Sequence, residues 1–259
     1  MISPLAYVDS SAELGKDVTV HPFAYIGKNV KIGDGCTIMP YASVLEGTVM
    51  GKNNSVYQGA IVGATPQDFN YVKGTKTYVY IGDDNAIREY VVIRRGTNTE
   101  GGTRIGNGSF LMKGTNVSHD AVIGDHCVIG NNSEITGCSC IEDYAIVASQ
   151  VVIKPGVRVG QWAMVECVTV ADKDIPPYIV AGGTPINYNG VNAFIMNKHG
   201  FDKDLITHIA MAYRQIYKGH TSLENAVRRI REVVRDSQEI RNIVNFINNS
   251  KVGIMATED

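Results

Sequence analysis

At 259 residues, with 44% hydrophobic content and a formal net charge of −2 at pH 7, the chain can fill one sizeable core and carry an appendage, and it reads as an ordered protein. The near-neutral balance predicts no nucleic-acid partner, and no apolar run approaches the roughly 18 residues of a membrane span. With no basic and apolar leader after Met1 and an odd count of five cysteines, the expectation is a cytoplasmic protein without a disulfide framework.

From Ile2 onward every sixth residue is aliphatic: Val8, Leu14, Val20, Ile26 and Ile32, then on to Val62 without a miss. The phase resumes at Ile81, Ile87 and Ile93, and again from Ile105 to Val165. Four places after each aliphatic residue comes a second restricted position, held in the later block by side chains such as Ser109, Thr115, Ala121, Cys127 and Ser133. A period of six suits neither a helix nor simple strand alternation, and it marks a parallel β-helix solenoid. Three hexads make one triangular coil, so residues 18 apart stack on each other at strand spacing, roughly 4.7 to 4.9 Å. The aliphatic and small residues point into the prism. The second and third places after each aliphatic residue form its corners.

Two stretches break the phase, at about 63–80 ("GATPQDFNYVKGTKTYVY") and 96–104 ("GTNTEGGTR"), and both are expected to be loops leaving the prism that carry substrate contacts. The hexads fade after about residue 170 into the Pro/Gly-rich connector "ADKDIPPYIVAGGTPINYNG". The period then turns helical, with stripes Leu205, Ile209, Tyr213, Ile216, then Ala226, Val227, Ile230, Val234, then Ile240, Ile243, Val244, Ile247. Thr221 followed by Glu224 has the spacing of a capping box opening the second stripe. The predicted organisation is thus a β-helix over 1–190 and a small helical domain over 191–259.

The hexad register sorts the six histidines. His21, His126, His199, His208 and His220 read as exposed or structural side chains. His119 sits at a corner whose counterpart one coil onward is Gly137, which sets an imidazole beside a backbone N–H with no side chain to cover it. That pair suits acyl transfer, the imidazole taking a hydroxyl proton and the N–H stabilising an oxyanion, with Asp120 placed to favour the imidazolium. The plain alternative is a turn glycine beneath a solvated histidine. Cys138 and Cys140 form a C-x-C without a second pair, and no metal site is expected.

Several strings together resemble the UDP-N-acetylglucosamine acyltransferases that begin lipid A synthesis: "PQDFNY" at 66–71, "AIREYVVIRRGT" at 86–97, "SHD" at 118–120, "DIPPYIVAGGTP" at 174–185 and "GVN" at 190–192. The likeness covers essentially the whole chain. It implies an all-β left-handed parallel β-helix with a C-terminal helical domain, assembled as a homotrimer with sites between subunits. It also implies transfer of an (R)-3-hydroxyacyl chain from acyl carrier protein to the 3-hydroxyl of UDP-N-acetylglucosamine, without a cofactor. By position His119 matches the general base, Gly137 the oxyanion donor and Asp120 the acidic residue after the base. Gln67 and Asp68 fall where a loop touches the sugar. Asn192 and Lys198 fall near the nucleotide, Lys198 in place of an arginine.

The chain departs from that pattern at Arg94, Asn116, Cys138 and Lys154, each where a histidine is usual, and at Asn70, where a lysine is usual. Arg94, Asn116 and Lys154 are therefore expected to make altered contacts to the sugar and diphosphate. Cys167 stands where a glycine shapes the acyl groove. Four other readings stand beside the leading one: an acyltransferase on a UDP-diamino-sugar, the N-acyltransferase acting one step later, a β-helix carbonic anhydrase, and a UDP-sugar-binding β-helix without turnover. The N-acyltransferase lacks its usual amino-terminal region here, since hexads begin at Ile2, and the anhydrase requires three histidines converging on zinc.

Overall fold

The computed structural model describes residues 1–97 and 99–256; Asn98, within the second expected loop, and residues 257–259 of the expected helical domain lie outside the described residues. Among the described residues, short strands of two to five residues alternate with turns and stack into three sheets, one per face of a triangular prism. The register follows the 18-residue repeat: Asn116 and Val117 pair in parallel with Glu134 and Ile135, which pair with Val152 and Ile153. The chain is a left-handed parallel β-helix closed by helices.

Each element of the repeat has a physical reason. The aliphatic positions are sealed inside the prism, with Ile26, Ile38, Ile87, Leu111, Ile129 and Ile135 fully buried, each such side chain contributing about 1.5 to 3 kcal/mol. The small positions, among them Ala24, Ala42, Ala121, Ala145 and Ala163, fit where the faces converge. The third place after most of the aliphatic residues bends the chain with a positive φ, as at Asn29, Asn53, Asp84 and Asn132, where short polar side chains tolerate the left-handed region. Aromatic residues also take this position at Phe23, Tyr41, Tyr144 and Trp162, and there they stack along the corner: Phe23 on Tyr41 at 5.3 Å and Tyr144 on Trp162 at 4.2 Å between centroids.

The phase breaks are loops, slightly shorter than the sequence suggests. Strand Ile61–Ala64 runs into the first and strand Val79–Ile81 leaves it, while Val92–Arg94 and Thr103–Ile105 flank the second. The connector is more ordered than its composition predicts. Within it, Ile179–Gly182 continues a parallel ladder beside Met164–Val165, and Asn187–Val191 folds back antiparallel on it.

Among the described residues four helices follow: α1 (Ala193–Lys198), α2 (Lys203–Tyr217), α3 (Leu223–Val233) and α4 (Gln238–Asn248). The predicted stripes face inward, burying Ile209 and Tyr213 from α2, Val227 and Ile230 from α3, and Ile243 and Ile247 from α4. The expected cap at Thr221 is corrected by one residue: Ser222 has the extended backbone of a cap, and its side chain accepts from the Asn225 N–H at 3.3 Å. The helical end is seated on the last coils through Tyr213, whose hydroxyl donates to the Pro177 carbonyl at 2.5 Å, and through Arg158 lying 4.1 Å over the Phe246 ring.

Candidate active site

The strand Asn116–Val117 ends in a corner that presents His119 and Asp120 side by side, and the next coil presents Gly137 and Cys138 at the same place. The imidazole lies directly over Gly137. A methyl group on that α-carbon would stand 2.5 Å from Nε2 and 2.6 Å from Cε1, so only glycine admits the ring. His126 packs over Gly108 in the same way, so stacking alone does not distinguish His119. Two further features do.

The first is the pair of carboxylates. His119 Nδ1 lies 3.1 Å from Asp120 Oδ2, and Nε2 lies 3.8 Å from Asp68 Oδ2. The second is an unused donor. At several other corners the N–H two places past the aliphatic residue is capped by a side chain one coil on, as Lys16 is by Asp34, Lys52 by Asp83, Asn107 by Asp125 and Asp125 by Asp143, while at Lys28, Lys113 and Asp143 it has no partner among the described residues. The coil after Gly137 places Pro155 there, which has no accepting side chain. Among the described residues the Gly137 N–H has no partner, whereas the Gly108 N–H donates to the Asp83 carbonyl at 2.9 Å.

Both loops brace this corner. Asp68, in the first loop, accepts from the Asn70 N–H at 3.0 Å and the Asn70 amide at 3.2 Å. These bonds, with the Thr97 hydroxyl at 3.1 Å and the nearby His119, hold its carboxyl below the usual carboxylate range. Thr97 also donates its backbone N–H to Asp120 Oδ2 at 3.0 Å, tying the two acids together. The Asp120 N–H in turn donates to Thr103 Oγ1 at 2.9 Å. Gly96 is crowded by Asp120 and Gly102 and admits no larger residue without a shift. Thr97 and Thr103 escaped the sequence reading because they flank a loop, where the repeat assigns no coordinates.

Arg94 extends the cluster. Its guanidinium donates to Gln67 Oε1 at 2.7 Å and to Asn116 Oδ1, and Asn116 Nδ2 donates to Glu134 Oε2 at 2.5 Å. Arg94 Nε is buried without a partner among the described residues, and burial pulls the guanidinium pKa down against the opposing charge of Glu134. Thus Gln67, Asp68, Arg94, Asn116, His119, Asp120, Gly137 and Cys138 converge. Cys138 is exposed, its thiol pKa pushed up by burial of the sulfur and by Asp120 and Asp68. His119, Asp120 and Cys138 bring donor atoms within 4.8 Å of one another, but the Asp120 oxygen is already committed to His119 and Thr97, and the thiol favours its protonated form.

Among the described residues the remaining expected residues make no hydrogen bond or ion pair with this cluster. Lys154 is exposed and stands 3.7 Å from Asp172 Oδ2. Cys167 is an exposed corner residue. Asn192 is buried at the start of α1, with its amide donating to the Trp162 carbonyl at 2.9 Å, and Lys198 ends the same helix in an exposed position. His199 follows, edge-on to Trp162 at 4.9 Å, at the side of a His126–Tyr144–Trp162 column.

This arrangement can remove a proton from a hydroxyl at Nε2 and hold a developing oxyanion on the Gly137 N–H. A family profile described as UDP-N-acetylglucosamine O-acyltransferase, domain 2, matches residues 174–255. The bacterial transferase hexapeptide profile matches residues 11–40, 29–64 and 102–137. Among solved structures the chain is similar to a UDP-N-acetylglucosamine acyltransferase from Bacteroides fragilis, at 42% identity over 98% of this chain and 100% of that one, with a TM-score of 0.96. It is also similar to the enzyme from Francisella novicida, at 32% identity over 100% and 95% with a TM-score of 0.96. The protein from Acinetobacter baumannii matches at 32% identity over 98% and 99%, with a TM-score of 0.94.

Proposed function

The chain belongs to the UDP-N-acetylglucosamine O-acyltransferase family, and from that premise we propose that it moves an (R)-3-hydroxyacyl chain from acyl carrier protein to the 3-hydroxyl of UDP-N-acetylglucosamine, the first step of lipid A biosynthesis. The observation that carries the reading is the His119–Gly137 corner with its two carboxylates and its unused N–H.

Asp120 accepts from Nδ1–H, which fixes the tautomer and leaves the Nε2 lone pair for the substrate hydroxyl. As Nε2 takes the proton, the sugar oxygen attacks the thioester carbonyl and the carbonyl oxygen becomes an oxyanion on the Gly137 N–H. Collapse breaks the C–S bond, and the proton held on His119 passes to the departing thiolate of the carrier protein. No metal or redox cofactor enters these steps. Asp68, held ionised by Asn70 and Thr97, orients the sugar and supports the imidazolium. Gln67, Arg94 and Asn116 line the sugar and diphosphate side, and Cys167 borders the groove for the acyl chain.

Asn192 and Lys198 sit at the two ends of α1, against the Trp162 corner and not the His119 corner of the single chain, which supports a homotrimer whose sites are completed by a neighbouring subunit. Phe69 and Val72, wholly or largely exposed on the first loop, are the apolar surface such an assembly would cover. Among the described residues no helix is long and apolar enough to cross a membrane. Both substrates are water-soluble carriers, so the reaction belongs in the cytoplasm.

The test is incubation with a panel of 3-hydroxyacyl carrier proteins and UDP-sugars, including a UDP-diamino-sugar, followed by mass spectrometry of the nucleotide. Ester formation on UDP-N-acetylglucosamine is expected. Acylation confined to the diamino-sugar, or no acylation at all, would overturn the reading.

A further inference from the structure

Between the first loop and the coils beneath it lies a cavity of about 850 Å³, well inside the range of roughly 300 to 1,000 Å³ typical of small-molecule sites. Its walls carry five cationic side chains, Lys28, Lys31, Lys73, Lys76 and Arg95, against a single carboxylate, Glu46. Lys28 stands 3.5 Å from Glu46, and Lys31 is paired outside the cavity with Glu13 at 3.0 Å. Arg95 is held on the Glu46 and Gly63 carbonyls and on the Tyr71 hydroxyl, each at 3.2 Å. Lys73 and Lys76 make no ion pair among the described residues. On a chain of net charge −2 this is a local concentration of positive charge.

A second observation points the same way. Thr77 lines the cavity, is 2% exposed, and its hydroxyl has no hydrogen-bond partner among the described residues. The loop is pressed onto the prism here because Gly47, at φ +89°, has no side chain to meet the Thr77 carbonyl. A buried hydroxyl is normally paired, and one held unpaired beside free ammonium groups is a donor awaiting an acceptor.

We propose that this cavity is a second anion site, separate from the acyl-transfer corner, which binds a small molecule carrying a diphosphate group. Lys73, Lys76 and Lys28 meet the phosphate charge, the Thr77 hydroxyl donates to a phosphate oxygen, and Val49, Tyr71 and Tyr78 offer an apolar wall to the rest of the molecule. Neither His119, Gly137 nor Asp68 lines it. The two sites share the first loop, since the Tyr71 N–H donates to the Asp68 carbonyl at 3.1 Å, so an occupant stiffens the segment that presents Gln67 and Asp68.

The probe is inorganic pyrophosphate, followed by calorimetry and thermal melting on the full chain, with UDP in a parallel arm. Pyrophosphate binding by the wild type and by His119→Ala is expected to be equal. Joint replacement Lys73→Ala and Lys76→Ala weakens it about tenfold or more, the scale of losing charge-assisted hydrogen bonds. Thr77→Val raises the melting temperature without pyrophosphate, because an unpaired buried hydroxyl is gone, yet reduces the shift that pyrophosphate produces. UDP does not displace the bound anion. The proposal is overturned by absence of binding, by equal binding in the lysine variant, or by displacement with UDP, which would place the anion in the substrate site.

Discussion

Gly137 lies beneath His119 so closely that the imidazole occupies the space where any other residue at 137 would put its Cβ. The glycine therefore serves two ends at once, leaving room for the base and leaving its own N–H uncovered. Gly137→Ala forces the ring off the corner and is expected to lower turnover by about 10²-fold or more while the fold is kept, a displacement of the order of 1 Å being enough. His119→Ala removes the base and lowers turnover by about 10²- to 10⁴-fold. The double variant loses the clash, so it should melt with His119→Ala and not below it, and it should regain no turnover. Mass-spectrometric rates and thermal melts check all three proteins, and wild-type turnover in Gly137→Ala would refute the packing argument.

How much of this is visible in the sequence depends on whether a residue lies in phase with the hexads. Where the period runs, position is geometry: Val117 predicts its pairing with Ile135, and with it the meeting of His119 and Gly137. Where the period breaks, loop length says nothing about where a side chain returns. Thr97 joining Asp68 to Asp120, the Arg94–Gln67 bond and the Thr77 cavity all sit at such breaks. The cap at Ser222 was missed for a different reason, since two adjacent residues offer the same hydroxyl and only backbone direction chooses between them. The column of His126, Tyr144 and Trp162 is legible, because their spacing is one coil each, but the sequence analysis takes up His126 alone, as one histidine among six.

A polar ladder inside the prism gives a test of the small position. Asn85 donates its N–H and its amide to Asn54 Oδ1 at 3.0 Å each, donates the amide to the Gly106 carbonyl at 2.9 Å, and accepts from the Ser109 N–H at 2.8 Å. Asn85→Ala strands the Gly106 carbonyl and the Ser109 N–H in a site that is 2% exposed. Loss of about 3 kcal/mol or more is expected in urea unfolding, since each buried group left unpaired costs about 1 to 3 kcal/mol. A loss below about 1 kcal/mol would mean the ladder adds nothing beyond filling space.

Val168 tests the corner rule from the opposite side. It adopts φ +58° with a β-branched side chain, is largely exposed, and does not join a stack of rings such as Tyr144 and Trp162 form among the described residues. A left-handed conformation costs an ordinary L-residue about 1 to 2 kcal/mol, much less for Asn and least for Gly. Val168→Asn is therefore expected to stabilise the protein by about 1 kcal/mol, with its N–H still donating to the Ser149 carbonyl. A destabilised Val168→Asn would show that the valine makes contacts outweighing the strain.

Burial also predicts an alkaline limit. Cys127, inside the prism, has its thiol pKa pushed from 9.0 to about 12, and Tyr178, under the helical end, has its phenol pushed from 10.0 to about 12, in both cases chiefly because burial disfavours the charged form. A raised folded pKa means that the folded state keeps its proton after the unfolded chain has released it. The stabilisation is complete below the ordinary values and declines as pH rises from 9.0 toward about 12. Urea midpoints should thus be level on the neutral side and fall across that window. Cys127→Ala removes the thiol's share and should flatten the early part of the fall, where Tyr178 has not begun to contribute. Equal slopes for the two proteins between 9.0 and 10.0 would show that the thiol is not held neutral by the fold.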